Sequence, residues 1–134
     1  MILLDTTFLI DLLRKKRNAI SKAIEITTRD KLSTTYINIY ELLIGIYSIK
    51  GIDKEKKLQD VEKLIEKLEV FTLEKESTIN SVKIGGDLIL KGQVIGDTDN
   101  MIIGIALTNG ITTIVTRDME HYKKVKEIIL INFC

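Results

Sequence analysis

Two aspartates that follow short apolar runs are candidates for catalysis or metal binding. Asp5 comes directly after Ile2-Leu3-Leu4, and Asp118 comes shortly after Ile114-Val115-Thr116. Each run is typical of a buried strand, and in an open parallel sheet ligands bind outside the carboxyl ends of the strands. We therefore expect both carboxylates to emerge at the same edge of the sheet.

Two further acidic positions extend this pattern. Asp97 and Asp99 lie where a helix is expected to start, and such a helix can begin near the same edge. Glu41 lies in the largely apolar segment 37–44, where a lone carboxylate loses solvation and needs a partner. A divalent cation is the simplest partner, because oxygen ligands suit Mg²⁺ or Mn²⁺ and the chain lacks the Cys and His set that suits zinc.

Each of these acids also has a purely structural interpretation. Asp5 and Asp118 can cap the helices that follow them, and one of Asp97 and Asp99 is expected to do the same. Glu41 can reach solvent at an interrupted face of its helix. The combination of several acids with a topology that can bring them together favours a divalent-metal site over these alternatives.

Length and composition indicate one globular domain over residues 1–134. The chain is 45% hydrophobic and 29% charged, so it needs neither a disulfide nor a metal merely to fold. Its formal net charge of +1 gives no overall electrostatic signal for nucleic-acid binding. Any such role must therefore depend on a local site.

The cysteine content and the start of the chain bear on the compartment. Cys134 is the only cysteine, which excludes an intrachain disulfide and favours a reducing, cytoplasmic environment. Residues 1–5 contain no basic region before the first carboxylate, so we expect no secretory signal. No apolar run approaches the roughly 20 residues that span a bilayer, and we expect no membrane association.

The hydrophobic pattern predicts alternating strands and helices. Strands are predicted at residues 2–4, 32–34, 70–73, 111–116 and 128–131, and helices around 8–13 and 20–24, over 37–49, 53–69, 74–91 and 101–108, and briefly after 118. Because the strands are short apolar runs without alternating polarity, they favour a parallel sheet covered by helices on both faces. The predicted fold is a three-layer α/β/α sandwich with four to five central strands.

Two of these helices carry specific predictions about burial. In the second helix, Ile20, Ala23 and Ile24 are expected to form the buried stripe. Residues 37–49 are apolar almost all round, which predicts a helix that is buried on most of its faces.

Five short motifs occur in an order and at separations that match a known family. They are Leu3-Leu4-Asp5-Thr6-Thr7, Tyr40-Glu41-Leu42, Ile95-Gly96-Asp97-Thr98-Asp99 followed by Ile102 and Ala106, Asn109-Gly110, and Thr116-Arg117-Asp118 with His121-Tyr122. With these motifs the chain resembles the PIN-domain ribonucleases and, in size and layout, their toxin members called VapC. The resemblance covers nearly the whole chain and implies a PIN-like fold.

The resemblance also implies which acids form the site. The family's acidic quartet falls on Asp5, Glu41, Asp99 and Asp118, and Asp5, Asp99 and Asp118 are the expected metal ligands for one or two Mg²⁺ or Mn²⁺ ions. Glu41 is expected either to position water or to contact the metal. Asp99 is preferred to Asp97 as the quartet member because the apolar residues that follow it have the family's spacing.

Accessory roles follow from the same comparison. Asp97 is an expected accessory acid, while Thr6 (or Thr7) and Thr116 match hydroxyl positions that orient acids or water in the family. The chain departs from the family pattern at three positions without losing an acid: Thr7 stands where Ser or Asn is common, Gly104 replaces Ala and Tyr122 replaces Phe.

Basic residues near the acids are candidates for binding RNA phosphates. Arg14 lies in the cationic cluster 14–17, and Arg117 is adjacent to Asp118. A guanidinium group binds phosphate through two parallel hydrogen bonds, which favours the arginines over the lysines. A solvated surface is the structural alternative for the cluster. His121, the only histidine, is expected to be a surface or packing residue.

The resemblance implies a metal-dependent endoribonuclease that cuts structured RNA and leaves a 5′-phosphate, as the toxin of a toxin-antitoxin pair. It further implies a homodimer and a small VapB-like antitoxin whose tail blocks the acidic cleft. Two alternatives stay open: a catalytically silent PIN-like RNA-binding or scaffold module, and a metal-dependent phosphatase. The haloacid type of phosphatase is disfavoured because it needs a second Asp where this chain has Thr7.

Overall fold

Five short parallel strands form the centre of the computed structural model, which describes residues 1–133. The strands are β1 (Ile2–Leu4), β2 (Leu32–Thr35), β3 (Glu69–Phe71), β4 (Thr113–Val115) and β5 (Ile129–Ile131). They lie in the order β3-β2-β1-β4-β5, and every neighbouring pair is parallel. The predicted parallel sheet is confirmed. Cys134, for which no disulfide partner is expected, lies outside the described residues.

Helices cover both faces of this sheet. They are α1 (Thr6–Leu13), α2 (Arg17–Thr27), α3 (Tyr36–Tyr47), α4 (Lys54–Ile65), α5 (Lys75–Leu90), α6 (Asp97–Thr108) and α7 (Met119–Tyr122). Successive residues of a strand point to opposite faces, so Leu3 packs with α5, α6 and α7, whereas Ile2 and Leu4 pack with α1 to α4. The three-layer α/β/α sandwich is therefore confirmed.

The position of β1 at the centre of the sheet determines where a site can form. The chain runs from β1 to β2 and β3 on one side and then returns to β4 and β5 on the other. The strand order thus reverses between β1 and β4, and a crevice at this reversal is where open α/β sheets bind ligands. Asp5 and Asp118 follow these two strands, as predicted.

Two expectations about helix burial are wrong. In α2 the fully buried side chains are Ala19 and Ile26, and Ile24 is 65% exposed. In α3 only Asn38, Ile39 and Leu42 are buried. A helix on the outside of a sheet buries one stripe, so α3 leaves four large side chains exposed: Tyr36, Tyr40, Ile44 and Tyr47.

Helices α5 and α6 approach each other closely at Gly104. A Cβ atom at Gly104 would lie 1.9 Å from the Ser81 hydroxyl oxygen and 2.9 Å from the Ser77 carbonyl oxygen. The absence of a side chain at Gly104 therefore allows this packing. The same contact positions α6, whose first turn carries Asp99.

The start of α6 differs from expectation. Gly96 is the N-cap residue, and neither Asp97 nor Asp99 caps the helix, because both lie inside its first turn. Negative charge in the first turn is favourable next to the positive end of the helix dipole. Among residues 1–133, no helix combines the length and the apolar character that crossing a membrane requires.

Candidate functional site

Asp5 lies at the centre of the candidate site and is almost completely buried, with 4% of its surface exposed. Its Oδ1 accepts hydrogen bonds from Asn38 Nδ2 at 3.1 Å and from the Tyr122 hydroxyl at 2.9 Å. Its Oδ2 accepts one from the Thr116 hydroxyl at 2.7 Å. Burial raises the pKa of Asp5 above its ordinary value, the nearby Asp99 carboxylate adds to the rise, and the hydrogen bonds from Thr116 and Tyr122 oppose it.

The two oxygens of Asp5 differ in what they have left to bind. Each carboxylate oxygen has two lone pairs, and two donors already occupy those of Oδ1. Oδ2 accepts from the Thr116 hydroxyl, and the backbone N–H of Thr6 adds a further hydrogen bond to the carboxylate. Oδ2 has fewer side-chain donors than Oδ1 and is the oxygen better able to bind a cation.

Tyr122 joins Asp5 to Asp99. Its side chain is fully buried, and its hydroxyl lies 2.9 Å from Asp5 Oδ1 and 3.4 Å from Asp99 Oδ1. Burial, followed by the charges of Asp5 and Asp99, raises the pKa of the Tyr122 hydroxyl well above its ordinary value. The hydroxyl therefore stays protonated and acts as a hydrogen-bond donor. The sequence comparison identified Tyr122 only as a departure from the family pattern.

Asp118 and His121 complete the side of the site formed after β4. The Nδ1 atom of His121 lies 2.7 Å from Asp99 Oδ2 and 3.3 Å from Asp118 Oδ2. Asp99, Asp118 and His121 each offer an atom that could bind a metal, and these atoms lie within 4.8 Å of one another. His121 lies at the surface as expected, with 44% of its side chain exposed, and its ring also contacts two of the four predicted acids.

Glu41 reaches the same site from α3. The Thr6 hydroxyl donates to Glu41 Oε1 at 2.7 Å, and Thr6 in turn accepts from Asn38 Nδ2 at 3.0 Å. Burial raises the pKa of Glu41, and the charges of Asp5 and Asp99 raise it further. Glu41 therefore belongs to one electrostatic cluster with these acids.

Asn38 is a member of the site that the sequence analysis missed. It is fully buried, and its amide group contacts both Asp5 and Thr6. Its spacing of three residues before Glu41 places both side chains on one face of α3, which is the signal that could have identified it.

Hydroxyl groups hold the two strand ends together. The Thr116 hydroxyl donates to Asp5 and also accepts from the backbone N–H of Asp118 at 2.9 Å. Thr7 accepts from the backbone N–H of Arg117 at 3.0 Å. Asp97 is exposed, and no hydrogen bond or ion pair described within residues 1–133 joins it to the other acids.

The two candidate arginines occupy different positions. Arg14 is exposed at the end of α1, about 13 Å along the helix from Asp5 at 1.5 Å per residue. Arg117 lies beside the site, but its guanidinium group contacts the buried carboxylate of Asp11 and lies 5.4 Å from the centre of the Phe133 ring. Binding of RNA by either arginine stays a prediction.

The donor set of the site fits a divalent cation. Asp99 and Asp118 present carboxylate oxygens close to each other and to His121. Asp5 and Glu41 lie near enough to Asp99 for its charge to raise their pKa values. Carboxylates gathered in this way repel one another and carry a desolvation cost, which a cation relieves. Carboxylate oxygens are the ligands that hard divalent cations prefer.

Comparisons with known proteins identify relatives of this chain. The chain is 27% identical over 132 residues to the tRNA(fMet)-specific endonuclease VapC of Salmonella typhimurium strain LT2, a match that covers 98% of this chain and 97% of that protein.

Solved structures show the same fold. The structure of VapBC2 from Rickettsia felis bound to a promoter DNA fragment matches with a TM-score of 0.86 and 23% identity, over 100% of both chains. DNA-bound VapBC from Salmonella typhimurium matches with a TM-score of 0.84 and 27% identity, over 99% of this chain and 98% of that one. The family model described as PIN domain matches residues 2–127. This chain therefore belongs to the PIN domain family.

Proposed function

We propose that this protein is a metal-dependent endoribonuclease and the toxin of a VapBC-type toxin-antitoxin pair. The observation that carries the proposal is the buried carboxylate of Asp5, which the Tyr122 hydroxyl joins to Asp99 at the strand-order reversal. Burial of a carboxylate beside another acid is costly, and carboxylates perturbed in this way are concentrated at functional sites. The similarity to an endonuclease over nearly the full length of both chains supports the same activity.

The residues of the site have distinct proposed roles. Asp5 Oδ2, Asp99 and Asp118 hold the cation, while Asn38 and Thr116 fix the orientation of the Asp5 carboxylate. A bound divalent cation would supply activation of the attacking water and stabilisation of the leaving oxygen of the phosphodiester.

Glu41 has a positioning role in the proposal. The Thr6 hydroxyl donates a hydrogen bond to Glu41 Oε1 and so holds the glutamate side chain in one orientation. This orientation fixes the position of the other carboxylate oxygen. Its raised pKa makes Glu41 a better proton acceptor than an ordinary glutamate. Glu41 therefore orients a water molecule and accepts its proton.

The proposed substrate is structured RNA, cut to leave a 5′-phosphate. The Salmonella relative is named as specific for tRNA(fMet), which makes folded RNA of this class the first substrate to examine. The proposed partner is a VapB-like antitoxin whose tail covers the acidic crevice, because the matched structures are toxin-antitoxin complexes. We further propose a homodimer and a preference for Mg²⁺ or Mn²⁺.

RNA cleavage tests this proposal directly. The purified protein is incubated with total tRNA and Mg²⁺ or Mn²⁺, with a chelator as the metal-free arm, and the new RNA ends are sequenced. Asp5→Asn should reduce cleavage by at least about 100-fold, since it removes a ligand that acts in the transition state. Asp87→Asn is the matched control, because Asp87 is exposed on α5 and pairs with Lys91.

The alternatives give different outcomes in the same experiment. Undiminished cleavage by Asp5→Asn would refute the proposed mechanism. RNA binding without turnover under any divalent metal would support the scaffold interpretation. Release of phosphate from small esters, without cleavage of RNA, would support a phosphatase.

A further inference from the structure

The position of His121 has a consequence for the metal that the site selects. Its Nδ1 atom lies between Oδ2 of Asp99 and Oδ2 of Asp118, at 2.7 Å and 3.3 Å. The ring thus directs its nitrogen to the oxygens of two proposed ligands rather than to solvent, although 44% of the side chain is exposed.

Two features of α7 hold the ring in this place. Asp118 and His121 are three residues apart where the chain enters the helix, so their side chains lie on one face. The next residue, Tyr122, is fully buried, and its hydroxyl donates to Asp5. The short helix is therefore fixed to the site, and the position of His121 does not depend on a mobile surface segment.

We propose that His121 is a nitrogen ligand of the metal site and that it makes this protein select Mn²⁺ over Mg²⁺. The proposal rests on the metal-dependent function above, and it adds a residue outside the acidic quartet. Nδ1 lies within hydrogen-bond distance of Asp99 Oδ2, and because a carboxylate only accepts, Nδ1 carries a proton in this arrangement. A metal ion that took the place of this proton would bind the Nδ1 lone pair, with the proton of the ring on Nε2.

The selectivity follows from the chemistry of the donors. Mg²⁺ is bound through oxygen and releases its water molecules reluctantly, so a nitrogen ligand adds little to its binding. First-row transition metals accept imidazole readily, and Mn²⁺ is the member of that series that also suits a site rich in carboxylates. A site of three carboxylates and one imidazole therefore favours Mn²⁺.

Spin-echo modulation spectroscopy of Mn²⁺ bound to the full chain, without RNA, tests this assignment. The method detects nitrogen nuclei that are bonded to the metal. His121 is the only histidine of the chain, so a protein without a histidine tag can be labelled with ¹⁵N-histidine at this one position. We expect ¹⁴N modulation in the unlabelled protein and its replacement by the ¹⁵N pattern after labelling, with no mutation needed.

Calorimetric titration with each metal gives a second readout. His121→Gln replaces the nitrogen with an amide oxygen, and Mn²⁺ affinity should fall by at least about tenfold. Mg²⁺ affinity should change by less than about threefold, because oxygen suits this ion equally well. Glu120→Gln is the matched control: Glu120 precedes His121 on the same helix, pairs with Lys123 and has a side chain that is 78% exposed.

The result that would overturn the inference is Mn²⁺ binding without nitrogen modulation, or an equal loss of Mg²⁺ and Mn²⁺ affinity in His121→Gln. RNA cleavage with either of these results would leave the proposed function intact. Conversely, nitrogen modulation in a protein that cuts no RNA would support the ligand and refute the nuclease.

Discussion

At the scale of single residues, the site is a network of donors built around one buried carboxylate. Asn38, Tyr122 and Thr116 all donate to Asp5, and together they partly offset the cost of removing its charge from water. That cost is not fully offset, because burial still raises the pKa of Asp5. The network therefore holds the carboxylate in place but leaves it in need of a cation.

Thr116→Val removes a hydroxyl that forms hydrogen bonds with residues after both β1 and β4. The variant loses the donor to Asp5 and the acceptor for the Asp118 N–H, so the free energy of unfolding should fall by about 1–3 kcal/mol. Urea denaturation of the metal-free protein at neutral pH measures this loss. Thr112→Val, at an exposed position, should stay within about 0.5 kcal/mol of the parent. Equal stability of both variants would show that the Thr116 hydroxyl holds neither group.

The raised pKa of Asp5 makes stability depend on pH in a defined direction. Folding favours the protonated carboxyl, so this contribution is fully present below the ordinary value of 3.8 and is lost as pH rises through the higher pKa of the folded state. Asp5→Asn does not titrate at this position. Its stability relative to the parent should therefore increase between about pH 4 and pH 7 in chelator, as thermal unfolding would measure. A constant difference in stability between Asp5→Asn and the parent over this pH range would contradict the raised pKa of Asp5.

At the scale of helices and strands, close packing of two helices positions one of the acids. Gly104→Ala would place a methyl group against Ser81 and the backbone of α5, so we expect a loss of about 1–3 kcal/mol despite the better helix propensity of alanine. Gly86→Ala in α5 meets no atom within 4 Å and should stabilise the protein by up to about 1 kcal/mol. Chemical denaturation measures the free energy of unfolding of both variants. A Gly104→Ala protein as stable as the parent would show that the position of α6 does not depend on its close contact with α5.

The sequence predicted the elements better than it predicted their surroundings. Strands β1 and β4 were identified because short apolar runs end in an acid, and both occur close to the predicted residues. The burial of α3 was overestimated because an apolar residue on the outer face of a helix looks the same in sequence as one on the inner face. Asn38 and His121 were missed because their partners are distant in the chain, and periodicity carries no information about such contacts.

At the scale of the whole molecule, a net charge of +1 hides a separation of charge. Acids gather at the sheet edge, whereas a groove between the end of α1 and α4 is lined by leucines, by the acid Asp60 and by six cations: Arg14, Lys15, Lys56, Lys57, Lys63 and Lys67. Composition averages over both surfaces. The overall charge could therefore exclude a uniformly basic protein but could not locate this groove.

Arg14 is expected to bind an RNA phosphate from this groove. In an Asp5→Asn background that does not cut RNA, Arg14→Gln should weaken binding of tRNA and reduce the slope of log affinity against log salt by up to about 0.9. Arg29→Gln is the control, because Arg29 is exposed and contacts Glu25 at the end of α2. Fluorescence anisotropy across a salt series measures both, and an unchanged slope in Arg14→Gln would show that Arg14 is only a solvated surface residue.

An anomalous-scattering map from crystals of the full chain soaked with Mn²⁺ would locate the bound cation directly. We expect a strong peak within bonding distance of Asp5 Oδ2, Asp99 and Asp118, and loss of that peak in Asp5→Asn. A Mn²⁺ peak at another surface, or none at a concentration that supports RNA cleavage, would contradict this expectation.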